Sequence, residues 1–253
     1  MPPAVLVTGG AKRIGATIAR TFGQVGWHVA VHCGQSRGDA EALAASLPSA
    51  EVVQCDLADS DAAAAMIAAL AGCLTDWRVL VNSAAVFRED TAQALDPAVF
   101  AEAMAINALA PARMIQAFLA HAKAEGGRRV INLTDQKLAN PNPDFFSYTM
   151  AKHAFAATIR MLAMAQADAN PDSGDRIYGL APGAMLPSFD QLPEEHQVSG
   201  RMNLLHRLTA PQELADAALF LSQGWLASGE TLFVDSGQHL LAQPRDVLFL
   251  ARE

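Results

Sequence analysis

AVLVTGGAKRIG, residues 4–15, is the stretch whose reading decides the fold. The apolar run Ala4–Val7 reads as a buried strand that breaks into a tight turn at Thr8-Gly9-Gly10. Beyond the turn, Ile14, Ile18, Phe22 and Val25 recur at helical spacing until Gly26 stops the pattern. A strand that turns through glycines straight into a helix is where an α/β sheet holds a pyrophosphate. Free N–H groups and the positive end of the helix dipole meet there, and glycines let the backbone come close. The spacing, Gly9 then Gly15 with Lys12, Arg13 and Ile14 between them, departs from plain G-x-G-x-x-G. The turn therefore counts through its place, after the first strand and ahead of the first helix.

Outward from this unit the same rhythm repeats. Trp27–Cys33 reads as a strand, 38–47 as a helix ended by Pro48, and Val52-Val53 as a strand followed by Asp56-Leu57. An alanine-rich helix over 60–74, a strand at Val79–Asn82 and a long helical region over 97–123 come next. Then follow a strand at Val130–Leu133, a helix to about 169, and strands at Ile177–Ala181 and Leu232–Val234. Non-alternating apolar strands separated by helices imply a parallel sheet covered on both faces. The expectation is an α/β chain forming a single doubly wound Rossmann domain over residues 1–253, with a seven-stranded parallel sheet. Residues 184–208, containing PSFDQLPEEHQVSG, break the rhythm and read as a loop-like, mobile substrate cover.

Composition narrows the function. Of 253 residues, 51% are hydrophobic and 17% charged, so the chain is globular, and the net charge of −8 argues against nucleic-acid or anionic-membrane partners. Any positive site must be local. Cys33, Cys55 and Cys73 are too scattered for a metal pattern and fit a reducing cytosol. The seven histidines show no ligand spacing either, so no metal is expected. MPPAVLVTGG carries no basic region or cleavable apolar stretch, and no run approaches the 18 apolar residues of a span. A cytoplasmic protein is expected.

The end of the second strand bears on the nucleotide. An NAD site wants an acid there for the ribose hydroxyls. Here His32-Cys33-Gly34-Gln35-Ser36-Arg37 has none before Asp39, while Lys12, Arg13, Ser36 and Arg37 offer partners for a 2′-phosphate. This favours NADP, although Arg37 is also compatible with an ordinary solvated loop charge. The chemistry gathers in INLTDQKLANPNPDFFSYTMAK, residues 131–152. Tyr148 and Lys152, four apart, share one helix face roughly 6 Å apart along the axis. A lysine there is expected to lower the tyrosine's pKa by favouring the phenolate, making it a proton donor near neutrality.

In this order the pieces resemble the short-chain dehydrogenase/reductase family over nearly the whole chain. TGGAKRIG stands at the family's glycine turn, Asp56 where the adenine is contacted, and Asn82-Ser83-Ala84-Ala85 at its N-N-A-G. Asn107 in INALAP matches the proton-relay asparagine, Tyr148 and Lys152 the catalytic pair, Pro182-Gly183 the turn after strand six, and ETLFVDSG the last strand. The resemblance implies a cofactor site built from Gly9, Lys12, Arg13, Ile14, His32, Ser36, Arg37, Asp56, Leu57, Asn82, Ser83, Ala84, Thr134, Tyr148, Lys152, Pro182 and Gly183.

One departure is informative. Most members carry a serine twelve or thirteen residues before the tyrosine, whereas Thr134 and Asp135 lie 14 and 13 before it here. This is similar to the pteridine reductase branch, including the dihydromonapterin reductases, which also has an arginine in the glycine turn and a phenylalanine after strand four, matching Arg13 and Phe87. Ala85 departs from relatives whose serine contacts the ligand there. The implied substrate contacts are Arg13, Phe87, Asp135, Tyr148 and Leu186, with Phe87 stacking on the pterin. The implied cofactor is NADPH and the implied assembly a homotetramer. Lys152 would hold the nicotinamide ribose and Asn107 a relay water. A serine only donates to a ketone oxygen, whereas a carboxylate can accept from a pterin amine or help protonate a ring nitrogen. Asp135 is also compatible with a capping carboxylate, Phe87 with a plain core residue, and Asn107 with surface exposure. Reduction of another carbonyl or imine, or a non-catalytic NADP-binding regulator, stay open beside pteridine reduction. The apolar tail from His239 to Glu253 is expected to dock on a neighbouring subunit, with Arg245 reaching its site.

Overall fold

Runs of aliphatic and β-branched residues set the strands, and alanine lets the covering helices lie close on them. The computed structural model describes residues 2–188 and 190–253; Phe189, within the segment expected to cover the substrate, lies outside the described residues. The strands are β1 (Ala4–Val7), β2 (His28–Cys33), β3 (Ala50–Gln54), β4 (Trp77–Asn82), β5 (Arg129–Leu133), β6 (Arg176–Pro182) and β7 (Thr231–Val234). They form one sheet in the order β3-β2-β1-β4-β5-β6-β7, every pairing parallel.

The helices are α1 (Arg13–Gln24), α2 (Arg37–Ala45), α3 (Ser60–Cys73), α4 (Pro97–Met104), α5 (Ala110–His121), α6 (Phe146–Ala169), α7 (Pro193–Ser199), α8 (Pro211–Ser222) and α9 (Val247–Leu250). On one face of the sheet, Ile18 and Phe22 of α1 and Leu214 and Ala218 of α8 pack on Val5, Val31 and Val79. On the other, Ile67 of α3, Met114 and Phe118 of α5 and Phe155 of α6 pack on Leu6, Leu80 and Val130. Trp77 meets Phe118 edge-on at 4.9 Å. Val7 lies opposite Val31 and Val81, and Leu133 opposite Leu180, so the strands' C-terminal ends finish side by side. The chain leaves β1 for β2 on one side and places β4 on the other. That reversal opens a crevice between the loops after β1 and β4.

Two expectations need correction. The helical region over 97–123 is interrupted by a π-helical turn, Ala105–Leu109, centred on Asn107. The segment 184–208 is not all loop, for it contains α7, and α8 follows. Both helices open on a proline, and the carboxylates of Glu195 and Glu213 accept from the N–H of Leu192 and Ala210. This is the glutamate half of a capping box without its serine or threonine, so the usual start signal is missing. The helical run Pro97–His121 is 25 residues long, and one 18-residue window within it has a mean hydropathy of 1.3, enough by length and composition alone to span a bilayer. Here its Met114, Ile115 and Phe118 are buried against the sheet instead.

Candidate active site

The glycine turn is held by its neighbours. Gly9 has φ of +62°, and a Cβ on it would sit 2.9 Å from the Ala84 backbone; a Cβ on Gly15 would collide with the Gly9 carbonyl. The Gly9 N–H donates to His32 Nδ1 (3.2 Å), while His32 Nε2 bonds the Cys55 carbonyl (3.1 Å). Burial holds the His32 pKa down, keeping the ring neutral with Nδ1 free to accept. Thr8 Oγ1 accepts from the N–H groups of Ser83 (2.9 Å) and Ala84 (3.1 Å), tying the turn to the loop after β4.

These ties frame a cavity of about 550 Å³ over the strand ends. Gly9, Lys12, Arg13, Ile14, Ser83, Ala84, Thr134, Pro182 and Gly183 line it together with Phe87, Asp135, Tyr148, Lys152 and Leu186. The remaining expected cofactor residues do not line it. His32 braces Gly9 from behind, and Asn82 sits beneath, donating to Asn132 Oδ1 (2.9 Å) in a buried amide ladder. The side chain of Leu57 is buried in the α3 layer, and Asp56 accepts from the Ala58 N–H (2.9 Å) to shape the turn after β3. Ser36 precedes α2 without capping it through its side chain. The expected cations are paired: Arg37 Nε with Glu41 (2.8 Å) and Lys12 with Asp39 (3.0 Å). A dinucleotide still fits the crevice. Added side chains would fill the glycine cradle, and the buried Thr134 hydroxyl on the cavity wall has no partner among the described residues.

At the other end lies a cluster of titratable side chains. The Tyr148 hydroxyl donates to Asp135 Oδ2 (2.7 Å), and the Lys137 N–H donates to Asp135 Oδ1 (2.9 Å). Lys152 Nζ donates to the Leu133 carbonyl (2.7 Å) and lies 5.6 Å from the Tyr148 ring centroid. The expected electrostatics are reversed. Burial, then the Asp135 charge, pushes the Tyr148 pKa well up, and burial brings Lys152 down to about 8. Burial also raises Asp135, against the opposing pull of Lys137, Tyr148 and Lys152. The pair Asp135–Tyr148 thus retains protons; the lysine does not strip them.

Helix α6 presents Tyr148 through a device invisible in local sequence. Phe145, the residue before it, has φ of +52°, a costly conformation for an aromatic residue, and caps nothing with its side chain. The carboxylate of distant Asp90 takes over, accepting the Ser147 N–H (2.9 Å) and the Ser147 hydroxyl. Phe145 is fixed by stacking on Phe87 at 4.0 Å, and Phe87 meets Tyr148 edge-on at 4.7 Å. Asn107, expected to hold a water, spends its side chain on Val86: Oδ1 accepts the Val86 N–H and Nδ2 donates to the Val86 carbonyl, both at 2.8 Å. The π turn aims it there, positioning the residue next to Phe87. Arg13, at φ of +53°, reaches across to the Pro187 carbonyl (2.9 Å).

The tail is also corrected. It docks on its own chain: Arg245 Nε pairs with Asp144 (2.7 Å), and Asp246 pairs with buried Lys137 (2.7 Å). Asp246, Val247 and Leu248 line the cavity, as do Gln136, Gln191 and Gln238. None of these six was singled out as a site residue. The apolar tail was the only hint.

Such a sheet, glycine turn and Asp-Tyr-Lys cluster define a short-chain dehydrogenase/reductase, an oxidoreductase. The family profile described as enoyl-(acyl carrier protein) reductase matches residues 9–239, and the chain belongs to that family. It is 29% identical to pteridine reductase 1 of Leishmania tarentolae, over 94% of this chain and 96% of that one. It is 28% identical to a granaticin polyketide synthase ketoacyl reductase of Streptomyces violaceoruber, over 94% and 97%. Among solved structures it is similar to the NADP complex of FolM alternative dihydrofolate reductase 1 from Brucella canis, with a TM-score of 0.88, 31% identity and 96% of each chain covered.

Proposed function

We propose that the protein is an NADPH-dependent pteridine reductase, reducing a C=N bond of a dihydropterin. The observation that carries the reading is Asp135: it occupies the place of the usual serine and bonds Tyr148 at 2.7 Å in a cavity that Phe87 helps to wall. When bound, NADPH supplies the hydride. The turn Gly9–Gly15 would hold its pyrophosphate, with Lys12 and Arg13 beside it and Thr134 and Lys152 near the nicotinamide ribose. The nitrogen next to the reduced carbon needs a proton, and burial makes Asp135 and Tyr148 a pair that retains one. Phe87 gives a flat apolar wall for a fused ring, and Arg13, Leu186 and the segment around α7 cover the opening. Similarity to pteridine reductase 1 and to a dihydrofolate reductase supports the substrate class.

The ketoacyl reductase relative favours a second reading, reduction of a carbonyl. The test is NADPH consumption against a panel of dihydropterins, dihydrofolate, quinonoid pterins and simple ketones, with NADH in parallel. Turnover confined to pterins upholds the first reading, and turnover confined to ketones replaces it. NADPH binding without oxidation of any substrate would make the chain a regulator. We also assign a cytoplasmic homotetramer: Cys33, Cys55 and Cys73 are free thiols, and Met161 and Met164 of α6 and Trp225 beyond α8 leave apolar faces exposed. Light scattering of the purified protein reads the assembly directly.

A further inference from the structure

We propose that the chain's own C-terminal segment, Arg245–Leu248, is a fixed wall of the substrate cavity and that Leu248 sets how bulky a substituent the substrate carries. The inference rests on the pteridine reading for its substrates, not for its geometry.

The segment is clipped onto the catalytic loop by buried polar contacts. Lys137, only 3% exposed, spends Nζ on Asp246 Oδ2 (2.7 Å), Asn142 Oδ1 (3.0 Å) and the Asp144 carbonyl (3.1 Å). The carboxylate of Asp144 in turn accepts Arg245 Nε and the Asp246 N–H (2.8 Å). Past the clip, Asp246 caps the short helix α9 through the Leu248 N–H (3.0 Å), and beyond it Arg252 bonds Glu195 of α7 (3.0 Å). The tail is therefore held from both sides of the cavity mouth. Between these anchors Leu248, 4% exposed, packs in one apolar cluster with Tyr148 and Phe145 while lining the cavity. A lysine and an aspartate removed from water are costly to part, because either alone would be an uncompensated buried charge. The wall cannot swing away cheaply to admit a larger molecule, so its inner side chain fixes the space beside Tyr148.

The test uses two probes differing in bulk, 6-methyl-7,8-dihydropterin and 7,8-dihydrofolate, with the full-length protein and the variants Leu248→Ala and Leu248→Phe. Trimming the wall should raise the ratio of kcat/KM for dihydrofolate over the methyl pterin by about tenfold, the scale of a changed methylene in an apolar pocket. Leu248→Phe should lower it, and the opposite signs separate a size filter from damage to the fold, which would move both ratios together. Ratios within twofold of the wild type in both variants would overturn the proposal. If the wild type turns over neither pterin, the pteridine reading falls alone. The same ratio is then taken on a small and a bulky ketone, with the same signs required. Co-expressing active Leu248→Ala chains with Tyr148→Phe chains that keep the native tail locates the wall. A ratio like that of Leu248→Ala alone places it in the same chain, and a return to the wild-type ratio overturns that placement.

Discussion

The nucleotide end and the substrate end of the cavity are built in different ways. The first is mostly backbone: Gly9 and Gly15 are bare because neighbouring main chain occupies the space, while His32 holds the turn from the adjacent strand and Thr8, in the turn itself, ties it to the loop after β4. The second is mostly side chain, gathered from Asp90, Asn107, Asp135, Tyr148 and the Lys137–Asp246 pair. A backbone site tolerates little change in shape but asks little of chemistry. A side-chain site can be retuned one residue at a time. Variants at the two ends should therefore fail in different observables.

The largest separation comes from Tyr148→Phe. It removes the hydroxyl on Asp135 yet touches none of the glycine cradle, so kcat should fall about thousandfold while the Kd for NADPH stays within a few-fold. Equal losses in both would erase the distinction. The mirror experiment is Gly15→Ala, whose Cβ would run into the Gly9 carbonyl. Local strain of about 2 kcal/mol should raise the NADPH Kd roughly thirtyfold, with kcat at saturating cofactor nearly kept.

Acidity distinguishes the ends next. Because burial raises the Asp135 pKa, the protonated, donating form persists above the ordinary carboxylate range. It is then lost as pH rises through the shifted value. Pterin reduction should fall about tenfold per unit on that alkaline limb, and Asp135→Asn should flatten the limb at a much lower rate. Lys152 moves the other way: with its pKa held near 8 instead of 10.5, the folded protein binds fewer protons than the unfolded chain between those values. Stability of the free protein should climb by about 3 kcal/mol across that window, read as denaturation midpoints at successive pH values, and Lys152→Met should abolish the climb.

A smaller effect tests the support beneath the chemistry. Asp90→Ala removes the acceptor for the first turn of α6 and leaves Ser147 unpaired in the interior. A lost cap costs about 1 kcal/mol, and the unpaired hydroxyl about 1 kcal/mol more. A lowered melting temperature with a reduced kcat and an unchanged NADPH Kd is expected. A change confined to NADPH binding would place Asp90 at the wrong end.

The same contrast explains what was legible in the sequence. AVLVTGGAKRIG is contiguous, and its strand, turn and helix are read from neighbours in the chain. The sheet followed because its strands are apolar throughout. Asp135 and Tyr148 were legible because they sit 13 residues apart on one loop and helix. Asp90, 57 residues from Ser147, and Asp246, far from Lys137, meet their partners only through tertiary packing, so no spacing announces them. Asn107 was found, but its use was not: a π turn re-aims one side chain and leaves no mark in the residues around it. The Tyr148 pKa went the wrong way because neighbourhood in sequence shows a charge but not the desolvation that outweighs it.

The smallest effect falls at the rim of the nucleotide end, where a charged side chain faces solvent. Arg37 is 62% exposed and shares its guanidinium between Glu41 and Gln54. Its pull on a 2′-phosphate is screened by water and salt and opposed by its own partner, so it is worth under about 1 kcal/mol. Arg37→Ala should lower the preference for NADPH over NADH only a few-fold, more in dilute buffer than in 0.5 M salt (roughly the range where the Debye length falls below a side chain's reach). Glu41→Gln should raise that preference by a similar factor, because it frees the same cation. A loss of a hundredfold in Arg37→Ala would mean that the phosphate is gripped by side chains as firmly as the turn grips it by backbone, and the two ends of the cavity would then be less unlike than their architecture makes them.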